Sequence, residues 1–276
     1  MARTEKKKDD MPMIMRLLFL IAVGVLFSGC NIQNNLLYFP DSSRPSEELL
    51  KANHLKLWQA SATDYRGLVG FNEIAKPKGP VIVFHGNAGK AADKTYYVKT
   101  LSSLGYRVIL AEYPAYGGRK GTLGEKAFVA DGIETVRFVF EQFGGPVFLL
   151  GESLGCGVAA AVAARTQVKI AGIILITPWE TLASIARSKF SFLPVRLLLT
   201  DKYDSIGNLK PFKGRIAIIG AERDEIIPIS HAKCLYDSLS IVEKRMWIVT
   251  GAGHNNWYMR AQASLWKEVT GFMEGK

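Results

Sequence analysis

Short, mostly apolar runs recur along this chain at residues 81–84, 107–112, 147–151, 172–177, 216–220 and 246–250, and helical patterns separate them. Those helical stretches lie near 91–104, 123–143, 154–165, 230–239 and 255–273. The runs do not alternate polar with apolar residues, so each reads as a strand covered on both faces. Strands of that kind, spaced by helices, indicate a mainly parallel sheet between two helical layers. Two more strand-like stretches, 55–58 and 65–72, precede the turn Lys76-Pro77-Lys78-Gly79-Pro80. In an open sheet of this type the reactive residues gather at the carboxyl ends of the strands.

Residues 178–213 break the rhythm. They bring Trp179, Phe190, Phe192, Leu193 and Pro194 between two strands without adding a strand of their own. Two readings are open: a cap over the strand ends that lines a pocket, or ordinary helices packing apolar faces on the core.

The chain of 276 residues is long enough to bury one large core, and no linker-like stretch divides it. Its net charge of +10 raises the question of a polyanionic partner. The cations are scattered, with no dense run beyond Lys6-Lys7-Lys8, which reads as a solvated basic surface and argues against nucleic acid as a partner. No group of Cys, His and carboxylates has metal-ligand spacing, so neither a metal nor another cofactor is expected.

The amino terminus is basic up to Arg16, apolar and uncharged over 17–27, and then small, with Ser28-Gly29-Cys30. At ~1.5 Å per residue this apolar run covers about 16 Å as a helix, well short of a hydrocarbon core of about 30 Å. It therefore reads as a signal segment. Leu26-Phe27-Ser28-Gly29-Cys30 resembles the lipobox of bacterial lipoproteins. That resemblance implies cleavage before Cys30, lipidation of its thiol and an envelope location, anchored to a membrane and facing periplasm or exterior. Two or more acyl chains would make the anchor stable. The remaining cysteines, Cys156 and Cys234, are expected to be buried free thiols.

The most chemically informative stretch is 146–158, Pro-Val-Phe-Leu-Leu-Gly-Glu-Ser-Leu-Gly-Cys-Gly-Val. An apolar strand runs into Gly151-x-Ser153-x-Gly155 and then an Ala-rich helix, the setting in which a serine hydroxyl stands clear of the backbone as a nucleophile. Such a serine needs an imidazole base, and the imidazole needs a carboxylate to fix its tautomer. His254 follows the last strand in the Gly-rich turn Thr250-Gly251-Ala252-Gly253-His254. The acid falls in the loop after the strand 216–220, where Asp224 is preferred over Glu222 and Glu225, with Asp201 and Asp204 as outside alternatives. Oxyanion donors are expected from the backbone N–H of Leu154 and of Asn87, with Ala88 as an alternative, in Phe84-His85-Gly86-Asn87-Ala88-Gly89. Glu152 reads as structural. A phosphate-loop reading of this glycine-bearing stretch fails, because Ala91 follows Gly89-Lys90 and Phe84 stands where that motif needs glycine.

With His85 to Gly89, Tyr113-Pro114-Ala115-Tyr116-Gly117, Gly151 to Gly155, Asp224-x-x-x-Pro228 and Gly253-His254, the chain resembles the α/β-hydrolase superfamily. It is most similar to the branch of single-domain esterases, thioesterases, lysophospholipases and serine aminopeptidase-like enzymes. The resemblance implies an α/β-hydrolase fold of about eight strands and the chain order Ser153, Asp224, His254 for the triad. It implies an ester, thioester or lipid substrate, and it places Tyr116 near the pocket, where His85 and Trp179 are also expected. The corresponding division is a signal peptide over 1–29, a tether and amino-terminal extension over 30–54, and a hydrolase domain over 55–276 with a cap insertion at about 178–213.

Overall fold

The computed structural model describes residues 33–59, 61, 64–70, 76–189, 194–240 and 243–276. The signal peptide and Cys30 lie outside the described residues. In chain order the strands are β1 (Phe39–Pro40), β2 (Leu55–Trp58), β3 (Gly67–Gly70), β4 (Pro80–Phe84), β5 (Ala88–Gly89), β6 (Arg107–Ala111), β7 (Val147–Glu152), β8 (Ile170–Ile176), β9 (Arg215–Ala221) and β10 (Lys244–Val249). Eight of them form one sheet in the order β10-β9-β8-β7-β4-β6-β3-β2, while β1 and β5 pair separately. From β10 to β6 every pairing is parallel, and β3 and β2 add an antiparallel edge.

Strand periodicity explains why these runs are apolar throughout. On β4, Ile82 and Phe84 face one core with Leu149, Ile173 and Ile218, while Val81 and Val83 face the other with Phe148, Leu150 and Ile219. Successive side chains point to opposite faces, and both faces are covered. The helices Glu125–Phe143, Leu154–Arg165 and Ile229–Ser238 close the first core; Thr95–Ser103 and Ala263–Met273 close the second. At ~1.5–3 kcal/mol for each fully buried large aliphatic or aromatic side chain, these two layers dominate the stability of the fold. The helix Leu154–Arg165 is apolar all round, and its residues 154–162 are all buried. Small residues let it fit: a methyl group at Gly157 would lie 2.8 Å from the Tyr203 ring, and one at Gly132 only 2.7 Å from Val162.

Two expectations need correction. The helical pattern over 255–273 is not one helix: Trp257–Arg260 and Ala263–Met273 are separated by extended backbone at Ala261 and Gln262. Trp257 and Trp266 are both buried and their rings lie 6.2 Å apart. Nine residues of continuous helix would turn these side chains about half a revolution apart, and the break brings both into the same core. Cys156 is buried, but Cys234 is exposed rather than buried. On its helix the inward positions are Ala232 and Leu235, which turns Cys234 outwards.

The insertion holds the short helices Leu182–Lys189, Val195–Leu198 and Ser205–Leu209. Leu182, Tyr203 and Leu209 from this stretch belong to the first core. Among the described residues no helix is long and apolar enough to cross a membrane.

Candidate active site

β7 delivers Ser153 to the carboxyl edge of the sheet, where the chain reverses into the helix Leu154–Arg165. The turn is so tight that Ser153 has φ +54°. A left-handed serine costs on the order of 1–3 kcal/mol and persists only where packing over-determines it. The packing here is explicit: a methyl group at Gly155 would sit 2.0 Å from the Phe84 carbonyl oxygen, and one at Gly151 would sit 2.4 Å from the Gly155 carbonyl oxygen. The Ser153 amide donates to the Ile176 carbonyl at 2.9 Å, tying the elbow to β8.

The loops after β9 and β10 bring the other two candidates to this serine. His254 Nε2 lies 3.0 Å from Ser153 Oγ, and His254 Nδ1 lies 2.8 Å from Asp224 Oδ2. Because Nδ1 faces a carboxylate, that nitrogen carries the proton of the neutral ring, and Nε2 is left to accept from the serine hydroxyl. Asp224 Oδ1 accepts the amides of Ile226 at 3.0 Å and Ile227 at 2.7 Å, so the carboxylate is held by its own loop. The neighbouring carboxylates have other tasks. Glu222 accepts the Gly251 amide at 2.7 Å and Glu225 accepts the His254 amide at 3.2 Å, fastening the histidine loop to the acid loop. Asp204 caps the helix Ser205–Leu209, and Asp201 binds Gln33 and Tyr38.

The loop after β4 passes directly beside Ser153: a methyl group at Gly86 would lie 3.6 Å from Ser153 Cβ. The N–H of Asn87 has no backbone acceptor among the described residues. Leu154 opens its helix, and its N–H is one of the first-turn donors without an intrahelical partner. Neither donor is thus committed to a backbone acceptor among the described residues.

His85 gives way to a different role from the pocket-lining one expected of it. It is 1% exposed, its Nε2 meets Glu112 Oε1 at 3.0 Å, and its Nδ1 meets the Gly86 carbonyl at 2.9 Å. That carbonyl belongs to the same planar peptide unit as the Asn87 N–H. Holding one end of the unit sets the direction of the other. Glu112 also accepts the Ala91 amide at 2.9 Å, and so anchors both ends of the loop. Its sequence signal was a lone carboxylate closing an apolar strand. Tyr116 is likewise buried and donates to the Asn87 carbonyl at 2.7 Å, while Tyr113 donates to the His85 carbonyl at 2.8 Å. Trp179 is 4% exposed, within the first core, and its Nε1 has no hydrogen-bond partner among the described residues. Of the expected pocket residues, His85 belongs to the loop after β4 and Tyr116 hydrogen-bonds it.

Glu152, next to Ser153, accepts from Lys94 at 2.7 Å and from the hydroxyls of Tyr96 and Tyr97, both at 2.6 Å. Burial on its own would raise its carboxyl; the Lys94 ammonium and the hydrogen bonds outweigh that and hold it below the ordinary carboxylate range. Burial pushes the Cys156 thiol well up, so this sulfur beside the elbow stays protonated. His231 pairs with Glu180 at 2.9 Å, joining the start of the insertion to the helix Ile229–Ser238.

Sheet order, covered faces and a serine turn at the end of a central strand together make this the α/β-hydrolase fold. A Pyrococcus furiosus esterase shares it with a TM-score of 0.68 at 16% identity, over 87% of this chain and 97% of that one. Among sequence families, the one described as "Serine aminopeptidase, S33" matches residues 75–199, a stretch that includes Ser153 but neither Asp224 nor His254. An uncharacterized protein of Mycobacterium tuberculosis is 29% identical over 249 residues, 88% of each chain. The lysophosphatidylserine lipase of Danio rerio is 26% identical over 266 residues, spanning 79% of this chain and 69% of that one.

Proposed function

We propose that this chain is a serine hydrolase of carboxylic ester or thioester bonds, including those of lipids, tethered to a bacterial membrane. The observation that carries the reading is the continuous hydrogen-bonded line from Ser153 Oγ through His254 to Asp224. Ser153 Oγ attacks the carbonyl carbon and its proton passes to His254 Nε2, while Asp224 stabilises the imidazolium. The N–H groups of Leu154 and Asn87 hold the oxyanion. Collapse expels the alcohol or thiol, which takes the proton from Nε2, and leaves an acyl group on Ser153. Water then attacks the acyl carbon by the same route, releasing the acid and restoring the serine.

The matching family description favours a second reading, an aminopeptidase-like amide hydrolase. Such an enzyme needs a carboxylate for the substrate's free ammonium. Among the described residues, Glu112, Glu152, Glu180 and Glu225 each already hold a partner: His85, Lys94, His231 and the His254 amide. The likeness to a lysophosphatidylserine lipase over 79% of this chain supports the ester reading. Purified protein is expected to be labelled by a fluorophosphonate at Ser153 and to turn over p-nitrophenyl acyl esters faster than amino-acid p-nitroanilides. The opposite order of rates would establish the amide reading; no labelling and no turnover of either would end both.

The tether rests on residues 17–30 alone. Cells expressing the full chain are expected to incorporate palmitate into it, and Cys30→Ser to abolish that. Incorporation that survives the substitution would remove the anchor from this proposal.

A further inference from the structure

The loop beside Ser153 does not stand on the hydrolase core alone. Residues 33–41, which precede the main sheet, lie against it and hydrogen-bond it at several points. β1 runs parallel to β5, with Phe39 opposite Ala88 and Pro40 opposite Gly89. The Phe39 amide donates to the Asn87 carbonyl at 2.9 Å and the Asp41 amide to the Gly89 carbonyl at 2.9 Å. The Asn87 side chain, in turn, reaches this segment, its Nδ2 donating to the Leu37 carbonyl at 2.9 Å. Asp41 also pairs with Lys90 at 2.8 Å.

The other end of the same segment grips the insertion. Gln33 Nε2 donates to Asp201 at 2.7 Å, and its Oε1 accepts the Thr200 amide at 2.8 Å. Tyr38 donates to Asp201 and shares a hydrogen bond with Tyr203 at 2.9 Å. Fewer than ten residues thus join the insertion at Thr200, Asp201 and Tyr203 to the loop beside Ser153.

We propose that residues 33–41 are a strap that positions the oxyanion loop, holding the Asn87 peptide from outside while His85 holds it from inside. The proposal rests on the serine-hydrolase reading. Its physical basis is that a donor helps only where it already points at the developing charge, since reorganisation during the reaction consumes the gain. The Asn87 N–H sits in a loop bearing glycines at Gly86 and Gly89, which has little stiffness of its own. Its Cα is fixed on three sides: by the Gly86 carbonyl on His85, by its own carbonyl on Phe39 and Tyr116, and by its side chain on Leu37. Two of those restraints come from the strap. Asn87 is thus a positioning residue through its side chain as well as a donor through its backbone.

The test uses full-length chains. Phe39→Pro removes the N–H that holds the Asn87 carbonyl, and Phe39→Ala removes the same half-exposed ring while keeping that N–H. Asn87→Ala removes the side-chain link without touching the backbone donor. Loss of a whole oxyanion donor costs about 10²–10³ in kcat, so misaiming one is expected to cost about 10- to 100-fold. Phe39→Pro should fall at least about fivefold further than Phe39→Ala, and Asn87→Ala should lower kcat about tenfold or more with KM within about twofold. Affinity for an acyl trifluoromethyl ketone, whose hemiketal oxyanion occupies the same donors, should fall in step with kcat/KM. A merely structural strap would lower the melting temperature and leave that correlation absent. Wild-type kcat in Phe39→Pro and Asn87→Ala, or a loss of kcat with unchanged ketone affinity, would overturn the proposal while leaving the hydrolase standing. A wild-type chain that neither turns over esters nor reacts with a fluorophosphonate would overturn both.

Discussion

Ser153→Ala is expected to lower ester turnover by at least ~10³-fold while leaving the protein folded, because loss of a triad nucleophile typically costs 10⁴–10⁶ and the rest of the site retains some rate above water. The elbow itself should survive. Its tightness depends on Gly151 and Gly155 packing against neighbouring backbone, and the Ser153 amide keeps its bond to Ile176. The hydroxyl's hydrogen bond is to His254, at 3.0 Å. Alanine at φ +54° is strained to a similar degree as serine, so folding stability should move by less than about 1 kcal/mol. The informative comparison is therefore turnover against denaturant midpoint. Unchanged hydrolysis of p-nitrophenyl esters by a folded Ser153→Ala chain would remove Ser153 from the mechanism.

Asp224→Asn carries the second large effect, and the geometry explains why so small a change should matter. Asp224 Oδ1 already accepts two amides, those of Ile226 and Ile227. An asparagine that keeps those bonds with its oxygen must turn its NH₂ towards His254 Nδ1. A donor there makes Nδ1 the acceptor, moves the ring proton to Nε2, and leaves Ser153 facing a nitrogen that cannot take its proton. Loss by tautomer reversal is worth about 10⁴ in kcat in enzymes of this logic, and a loss of 10³–10⁴ is expected here. Glu222→Gln and Glu225→Gln change only contacts to backbone amides in the histidine loop, so their effects should be about tenfold or less. Steady-state kinetics on the three variants ranks the acids; if Glu222→Gln or Glu225→Gln fell as far as Asp224→Asn, the assignment of the acid would fail.

Much of this architecture is legible in the residues themselves. Runs such as 81–84 and 147–151 are apolar on both alternating faces, and only a sheet buried on both sides satisfies that pattern. The candidates Ser153, Asp224 and His254 also stand out in sequence, because each follows an apolar run in a turn rich in glycine or polar residues. Other features were out of reach for a common reason. Whether a helical pattern such as 255–273 runs on or breaks depends on which core receives Trp257 and Trp266. The direction of Cys234 depends on how its helix is rolled against the sheet. Among the carboxylates of the 222–225 loop, sequence supports a preference, but the division of labour between Asp224 and its neighbours appears only when the loop after β10 lies beside them.

The same distinction separates the elbow from its supports. Residues 151–155 are contiguous, and the need for small residues around a strained serine is a local steric demand, so the chain alone determines where such a serine turn can form. The contacts that hold the loop at 85–89 beside that serine join Leu37 and Phe39 to Asn87, and Glu112 to His85. No local propensity encodes such pairs, because their geometry follows from where separate segments come to rest on a common sheet. Sequence by itself determined a two-faced sheet and a serine turn; tertiary packing decided which histidine and aspartate reach that serine, that His85 serves the loop from within the core, and that the amino-terminal segment reaches the loop from outside.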